Sequence, residues 1–281
     1  MSDLSRRDFI KGAFTGLGAL LAGRFLSACL SAASASEILP RPPIKPATQP
    51  PQSGRQGISY PDLVVVRGGE PEDVVRRAVE ALGGIKRFVK KGDNIIVKPN
   101  IGPPVQVYEY AATTNPWAMG AIVKLCLEAG AGRVRVMDNP FGGTAEAAFA
   151  ASGIREQVEQ AGGEIQLMSR FKFTTAELPQ ARDIKKWGIY EDILKADALI
   201  NVPIAKHHSA ARLTLAMKNL MGVIDRPQMF HLNLHQRIAD LASRVRPALN
   251  IIDAARILVA NGPTGRAGLS TLNIKEIKFG G

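Results

Sequence analysis

Cysteine is scarce in this chain of 281 residues, which contains two. Cys29 lies near the N-terminus, and Cys126 lies in an apolar helical pattern that predicts a core thiol. With one cysteine in the globular part, the chain cannot supply an internal disulfide framework or a cysteine-based zinc site. It also cannot supply the four thiolates of an iron–sulfur cluster, so we expect no such cluster from this chain.

Acidic residues are fewer than basic ones, with 25 Asp and Glu against 36 Lys and Arg and a formal net charge of +11. Without the first 35 residues the charge is still about +9. A basic surface can meet anionic lipid, nucleic acid or an acidic ligand. No recognisable nucleic-acid motif is present, so we expect a small anionic ligand and no nucleic acid. A solvated basic surface near a membrane is the simplest alternative.

A long, uninterrupted apolar run is also absent. The weakly apolar stretch Gly12–Ala33 is interrupted by Arg24, whereas a spanning helix needs about 20 apolar residues with few charges. The pair Arg6-Arg7 precedes this stretch, which is the layout of a twin-arginine signal peptide over residues 1–35. We therefore predict export by the twin-arginine machinery to the periplasm or the outer face of the cytoplasmic membrane. That route carries folded proteins, which favours a cargo loaded with a cofactor.

Two interpretations of the end of this leader stay open. The segment Leu26–Cys29 (Leu-Ser-Ala-Cys) resembles a bacterial lipobox, in which a lipid on Cys29 would tether the protein to the membrane. The segment Ala33–Ala35 instead fits ordinary cleavage after small residues. Residues 36–57 are rich in proline and predict an extended spacer, so we expect the globular domain to occupy residues 58–281.

Apolar strand and helix patterns alternate along the globular part. The predicted strands are Leu63–Val66, Asn94–Lys98, Val134–Met137, Gly163–Leu167, Ala198–Ile204 and Leu249–Ile252. The predicted helices are Pro71–Leu82, Pro116–Ala129, Thr144–Ala161, Ala211–Leu220 and Leu234–Arg244. This alternation predicts a single α/β domain with a mostly parallel sheet and helices on both faces.

Polar residues follow four of the apolar strands at the point where each strand ends. In open parallel sheets, ligands bind beyond the carboxyl ends of the strands, so we expect these residues to converge on one site. The predicted ligand- or cofactor-binding residues are Lys98, Asn100, Thr114, Asn115, Asp138, Lys206, Asn219 and Asp253.

All four histidines lie in one short part of the sequence. His207 and His208 end a strand, which favours a functional role for both. His231 and His235 are four residues apart, so on a helix they would share a face and could bind one metal ion. A solvated helix-entry surface explains this second pair equally well.

Lys218 interrupts an apolar segment that predicts a helix. A partly buried lysine has a lowered pKa and becomes a usable base or nucleophile. It could also hold an anionic ligand or carry a covalent adduct. A lysine that extends its charged end into water from a helix flank is the alternative.

Several segments together resemble the domain-of-unknown-function 362 family: Val97–Gly102, Thr113–Pro116, Asn201–His208 and Met217–Gly222. The resemblance covers roughly Leu63–Gly265, and the family includes exported twin-arginine proteins and relatives joined to ferredoxin-like modules. The ferredoxin-type cysteines are absent here, so it implies no iron–sulfur redox centre. The family pattern continues with an Asp-Pro-Val-Ala-like segment, where this chain has Asn273–Phe279. We therefore expect a C-terminally shortened copy, whose site is impaired if that segment lines it.

The spacing of His208, Lys218 and His235 is similar to that in nickel-pincer lactate racemases. This resemblance implies that Lys218 would tether the cofactor, that His235 or His231 would bind the metal, and that His208 would move a proton.

Together these features predict an exported enzyme that acts on a small anionic substrate by acid/base or redox chemistry. The predicted catalytic residues are His207, His208 and Lys218, and the predicted metal ligands are His231 and His235. The expected cofactor is a transition metal or a metal-containing organic group. The alternatives are a lipid-anchored protein that binds an anion without catalysis, and an inactive, shortened relative.

Overall fold

A computed structural model describes residues 59–104, 107–264 and the backbone of 274–276. The chain from Ile58 to Gly281 forms one compact unit. The predicted signal peptide, lipobox and proline-rich spacer lie outside the described residues. Within these ranges, none of the helices combines the length and apolar character that a membrane-spanning helix needs.

The central sheet has five parallel strands in the order β3-β2-β1-β6-β9. The strands in the described ranges are β1 (Asn94–Pro99), β2 (Arg133–Val136), β3 (Glu164–Ile165), β4 (Phe173–Glu177), β5 (Lys186–Tyr190), β6 (Ala198–Val202), β7 (Ile204–His208), β8 (Arg212–Thr214), β9 (Leu249–Asn250), β10 (Asp253–Leu258) and β11 (Ile274–Glu276). The central strand β1 is a run of apolar residues closed by a lysine and a proline, as expected of a parallel strand covered on both faces.

Helices cover both faces of the central sheet. Successive residues of β1 point to opposite sides, so each face of the sheet carries apolar side chains that need to be covered. The helices in the described ranges are α1 (Pro71–Ala81), α2 (Pro116–Glu128), α3 (Ala145–Ala151), α4 (Ile154–Gln160), α5 (Glu191–Lys195), α6 (Ala216–Asn219) and α7 (Leu234–Arg244). Ile95 and Val97 pack in one core with α1, α2 and α4. Ile96 packs in the opposite core with β5, α5 and α7. The predicted α/β architecture with helices on both faces is confirmed.

Two smaller sheets accompany the central one. The order β11-β10-β7-β8 describes a mixed sheet, in which β7 pairs with β10 in parallel and with β8 in antiparallel orientation. Strands β4 and β5 form an antiparallel hairpin. Pro203 separates β6 from β7 and lacks the N–H that a ladder needs, so the predicted strand Ala198–Ile204 divides between two sheets.

Two predicted elements are wrong. Leu63–Val66 has no regular secondary structure and pairs with no strand in the described residues, and Leu63 and Val65 are 79% and 71% exposed. Alternating apolar residues suggested a half-buried strand there, yet no sheet edge accepts it. The predicted helix Ala211–Leu220 instead contains β8, the single turn α6 and the start of a 3₁₀ helix. Arg212, at a φ of 63°, adopts the left-handed conformation at the tight turn between β7 and β8.

The predicted helix Thr144–Ala161 is interrupted rather than continuous. Gly153 has a φ of 72° and separates α3 from α4. Thr144 caps the first of these helices by accepting a hydrogen bond from the N–H of Ala147. The other predicted elements coincide with observed ones, with shifted ends.

Candidate active site

The strand order reverses between β1 and β6, which creates a crevice at the carboxyl ends of these neighbouring strands. Lys98 of β1 lies opposite Asn201 of β6 in the parallel register, and both side chains are fully buried. Lys98 is two residues beyond Ile96 and lies on the same side of the sheet. In open parallel sheets such a switch point is where ligands bind.

Lys98 forms a buried ion pair with Asp138, which follows β2. The lysine Nζ donates to Asp138 Oδ1 at 2.7 Å, to Pro99 O at 2.8 Å and to Asn219 Oδ1 at 3.3 Å. The second carboxylate oxygen of Asp138 accepts from the N–H of Ile101 at 2.9 Å. Burial lowers the pKa of Lys98, and the negative charge of Asp138 opposes that shift. Removing either partner would leave an uncompensated buried charge.

The orientation of the buried amide of Asn219 follows from its neighbours. Its Oδ1 must accept because the Lys98 ammonium can only donate, and its Nδ2 must donate because Pro99 O, at 3.2 Å, can only accept. Asn100 therefore turns its Nδ2 toward Asn219, and Asn201 turns its Oδ1 toward it, both at 2.8 Å. Below, the closed network denotes Lys98, Asp138, Asn201 and Asn219.

Gly222 lies directly against the closed network. A Cβ atom at this position would lie 2.7 Å from Lys98 Nζ and would also collide with Asp138 Oδ1. The Gly222 carbonyl accepts a hydrogen bond from the N–H of Asn139 at 3.2 Å. Only glycine therefore allows the 3₁₀ turn after α6 to approach the ion pair.

Two further lysines lie beside this network. The Nζ of Lys206, on β7, is buried and donates to Ala112 O at 2.6 Å. Burial, followed by the positive charge of Lys218, lowers the pKa of Lys206 to about 7. Lys218, on α6, is partly buried, and burial followed by the charge of Lys98 lowers its pKa to about 8. Both amines can therefore exchange a proton near neutral pH.

His208 ends β7 and is buried, with 7% of its surface exposed. Its Nδ1 accepts hydrogen bonds from the N–H groups of Ala210 and Ala211, each at 3.2 Å. Burial, followed by the positive charge of Lys218, lowers the pKa of His208 to about 4. Its ring stacks on that of His231, with centroids 6.3 Å apart and an angle of 23° between planes.

Two buried polar atoms lack a hydrogen-bond partner among the described residues, namely Asn100 Oδ1 and Thr214 Oγ1. The Asn100 oxygen is left unpaired because its amide nitrogen is committed to Asn219. Thr214 lies opposite Lys206 in the β7–β8 pairing, so its hydroxyl lies on the lysine's side of the sheet. Unpaired buried polar atoms are uncommon and indicate a place where a ligand or water binds. Below, the open cluster denotes Lys206, His208, Thr214 and Lys218.

Residues 95–276 match the family described as a domain of unknown function, DUF362, which is well over half of the chain. The chain belongs to the DUF362 family. A thylakoid-associated protein of Synechocystis sp. is 26% identical over 204 residues, which cover 67% of this chain and 60% of the relative. The chain thus spans about 60% of the length of that relative.

Two solved structures are similar to part of this DUF362 chain. The lactate racemase apoprotein of Thermoanaerobacterium thermosaccharolyticum is 16% identical with a TM-score of 0.44, over 66% of this chain and 48% of that protein. A Thermotoga maritima protein is 10% identical with a TM-score of 0.38, over 67% of this chain and 50% of that protein.

Three residues predicted to bind a ligand have local structural roles in this DUF362 domain. Thr114 Oγ1 accepts from the N–H of Asn100 at 2.8 Å and donates to Val202 O at 2.7 Å. Asn115 caps α2, since its side chain accepts from the first backbone N–H groups of that helix. Asp253 accepts from the N–H of Asn115 at 2.8 Å, and burial raises its pKa. A groove of about 760 Å³ beside α1, α2 and α4 is lined in part by Asn115 and Asp253.

The remaining histidines do not form the predicted arrangement. His231 lies in the 3₁₀ helix Pro227–Asn233 and His235 lies in α7, so the inference that both occupy one face of a single α-helix is wrong. Both are exposed. His207 Nδ1 accepts from the N–H of Gly262 at 3.0 Å. Within the described residues, no group of three or more His, Cys, Asp or Glu side chains is placed to hold a metal ion.

Sequence reasoning missed three residues of the DUF362 site. Asn201 completes the closed network, Thr214 carries the unpaired hydroxyl, and Gly222 allows the close approach of the turn. Asn201 ends an apolar strand, and both Asn201 and Gly222 lie in segments that resemble the family, but neither was assigned a place in the site. Thr214 was hidden because β8 was interpreted as part of a helix.

Proposed function

We propose that this DUF362 protein is an exported, membrane-associated enzyme that binds a small anionic substrate at the sheet switch point and moves a proton on it. The observation that carries the proposal is the open cluster, in which two lysines with pKa values of about 7 and 8 lie beside an unpaired hydroxyl. Closely placed cations favour an anion, and an amine that loses its proton near neutral pH suits acid/base catalysis.

The residues have different roles in this proposal. Lys218 is more accessible than Lys206, so its ammonium group would hold the anionic group of the substrate. Lys206 is buried and has the lower pKa, so its neutral amine would act as the base. The closed network would form a fixed, charge-balanced base beneath Lys206 and Lys218, because Lys98 is paired with Asp138.

The expected cofactor remains part of the proposal. In the alternative in which a cofactor is loaded, Lys218, whose amine has a lowered pKa, would tether an organic cofactor and would then not bind the substrate as an ammonium group. The described residues supply no group of three protein donors, so a transition metal here would need donors from such an organic group. His231, whose ring stacks on that of His208, is the histidine that we propose as a metal ligand.

Membrane association is supported by two observations of different kinds. The relative in Synechocystis sp. bears the name of a thylakoid-associated protein. The sequence carries the twin-arginine pattern at Arg6-Arg7 and the lipobox-like Cys29. We propose lipid anchoring at Cys29 after twin-arginine export. Replacing Arg6-Arg7 by two lysines should retain the protein inside the cell, and Cys29→Ala should release it from the membrane fraction.

The decisive experiment is purification of the protein from its native host, followed by metal analysis and intact-mass measurement. A mass adduct that is lost in Lys218→Ala but kept in Lys86→Ala would support the tethered cofactor. Lys86 is an exposed lysine in a 3₁₀ turn and serves as the matched control. If metal analysis finds no metal and the intact mass shows no adduct, the cofactor part of the proposal is wrong.

Substrate binding is tested separately by thermal unfolding with acetate, lactate and inorganic phosphate. A ligand at ten times its Kd stabilises the folded state by about 1.4 kcal/mol, which is a measurable rise in Tm. We expect the rise to disappear in Lys218→Ala and to persist in Lys86→Ala. Reversible anion binding without isotope exchange of substrate hydrogens in D₂O would instead identify an anion-binding protein that lacks catalysis.

A further inference from the structure

The hydrogen bonds of His208 determine which of its ring nitrogens carries the proton. Two backbone N–H groups, from Ala210 and Ala211, point at Nδ1 at 3.2 Å. A nitrogen that accepts hydrogen bonds must present its lone pair, so the proton of the neutral ring lies on Nε2. Neutral His208 is therefore a hydrogen-bond donor at Nε2 and has no free lone pair there with which to accept a proton.

The donor of His208 lies on the same side of β7 as two other polar groups. Lys206 and His208 are two residues apart on the strand, so both side chains emerge on one face. Thr214 lies opposite Lys206 in the antiparallel pairing and shares that face. Thr214 as a whole residue is 3% exposed, and its hydroxyl lacks a hydrogen-bond partner among the described residues.

Lys218 closes the group from α6. The helix α6 packs against β8, and the positive charge of Lys218 lowers the pKa of both Lys206 and His208. Within the described part of the chain, Lys218 Nζ and His208 Nε2 have no hydrogen-bond partner, yet neither is sealed from solvent. The Nε2–H of His208 and the Thr214 hydroxyl thus lie on one face of β7 with the charge of Lys218 acting on the same groups, and none of these three donors has an acceptor among the described residues.

We infer that His208 Nε2–H, Thr214 Oγ1–H and the Lys218 ammonium form an oxyanion pocket that holds one negatively charged oxygen of a small carboxylate or phosphate. This inference rests on the proposed function and deepens it. It changes the role expected for His208, which donates a hydrogen bond to the substrate and does not carry a proton. Hydrogen bonds from preorganised donors are strongest where an oxygen carries charge.

The first test is the tautomer of His208, read by ¹⁵N NMR of histidine-labelled protein purified from its host. With four histidines in the chain, the spectrum of His208→Gln assigns the signal by its disappearance. We expect a protonated Nε2 and an unprotonated Nδ1 at about pH 7, and the Nε2 proton should shift when acetate or inorganic phosphate is added. A proton on Nδ1 would overturn the inference without touching the proposed function.

The second test compares variants in the binding of acetate and inorganic phosphate. His208→Asn removes the donor at Nε2, whereas His208→Gln places an N–H group near that position. We expect His208→Asn and Thr214→Val each to weaken binding about tenfold, and His208→Gln and Thr214→Ser to stay within about threefold of wild type.

The outcomes of this comparison separate the two proposals. If Lys218→Ala abolishes anion binding while His208→Asn and Thr214→Val leave it unchanged, the oxyanion pocket is wrong and the proposed function stands. If wild-type protein binds neither acetate nor inorganic phosphate, the proposed function fails as well. A preference for acetate or for phosphate identifies which anion the pocket accommodates.

Discussion

The closed network and the open cluster are neighbours built from the same kinds of residue, but they differ in how their hydrogen-bonding capacity is used. Lys98 donates to three acceptors, and the Asp138 carboxylate accepts from backbone and side chain alike. Lys218 and Thr214 have no such partners among the described residues. Polar groups that are satisfied within the protein therefore fix the geometry of the crevice, while unsatisfied ones are left to bind a ligand.

The largest effect is expected from Lys98→Met, which breaks the closed network. The variant leaves Asp138 buried without its counter-charge, which should lower the free energy of unfolding by about 3–5 kcal/mol. Urea unfolding monitored by circular dichroism measures this. Lys218→Met is the control from the open cluster, and it should cost less than half as much because it strands no carboxylate. Equal losses in the two variants would contradict the comparison.

Gly222→Ala should break the same network through its backbone neighbour. The added methyl group would displace Lys98 or Asp138, so we expect a loss of about 3 kcal/mol. Gly84→Ala is the control because its Cβ would meet nothing within 4 Å, although Gly84 has a φ of 82°. That variant bears only backbone strain of about 1–2 kcal/mol. If Gly222→Ala proves the milder of the two, the close approach does not matter.

Two buried threonines sharpen the comparison further. The hydroxyl of Thr114 has two partners, so Thr114→Val should cost about 1–3 kcal/mol. The hydroxyl of Thr214 has none among the described residues, so Thr214→Val should change stability by less than about 0.5 kcal/mol in the absence of anion. Thermal unfolding in a buffer of weakly binding zwitterions measures both. A large loss in Thr214→Val would reveal a structural partner instead of a ligand contact.

The effect of Lys206→Met on stability depends on pH. The folded-state pKa of Lys206, about 7, lies below the unfolded value of 10.5, so wild type becomes more stable as pH rises from about 7 to 10. The variant lacks this gain and also lacks the hydrogen bond to Ala112 O. Near pH 7, where wild type still bears the cost of burying an ammonium group, relief from that cost should offset the lost hydrogen bond to within about 1 kcal/mol, and the variant should be clearly less stable near pH 10. Parallel stability curves for the two proteins would contradict the lowered pKa.

The central fold could be predicted because its elements carry strong local signals. Pro71 starts α1, Asn115 caps α2, and the buried run of β1 allows no other assignment. The smaller sheets could not be predicted in the same way. Leu213, Leu215 and Met217 alternate and are exposed, so their pattern gives no buried face from which to assign β8.

Most residues of the candidate site could be predicted from the sequence, but their hydrogen-bond partners could not. Lys98, Asn100 and Asp138 were predicted from strand ends, and Asn219 from the end of a predicted helix. All four do meet, because parallel strands bring the carboxyl ends of the first three together and α6 brings Asn219 to them. The tautomer of His208 depends on the backbone of a turn, and the role of Gly222 depends on an approach across the fold. Local sequence patterns encode neither the hydrogen bonds that set this tautomer nor the close approach of Gly222 to the ion pair. Export, lipid attachment, metal binding and catalysis stay predictions.

The span of the closed network along the chain has a consequence for how the protein is made. Lys98 and Asp138 are 40 residues apart, but Asn219 is 121 residues from Lys98. A growing chain could pair the two charges long before the amide that completes their surroundings has been synthesised. The site is therefore completed late in synthesis. A chain stopped before Asn219 and Gly222 would lack two of the residues that surround the ion pair of Lys98 and Asp138. Any cofactor or substrate that requires these residues can be retained only after about three-quarters of the domain has been added.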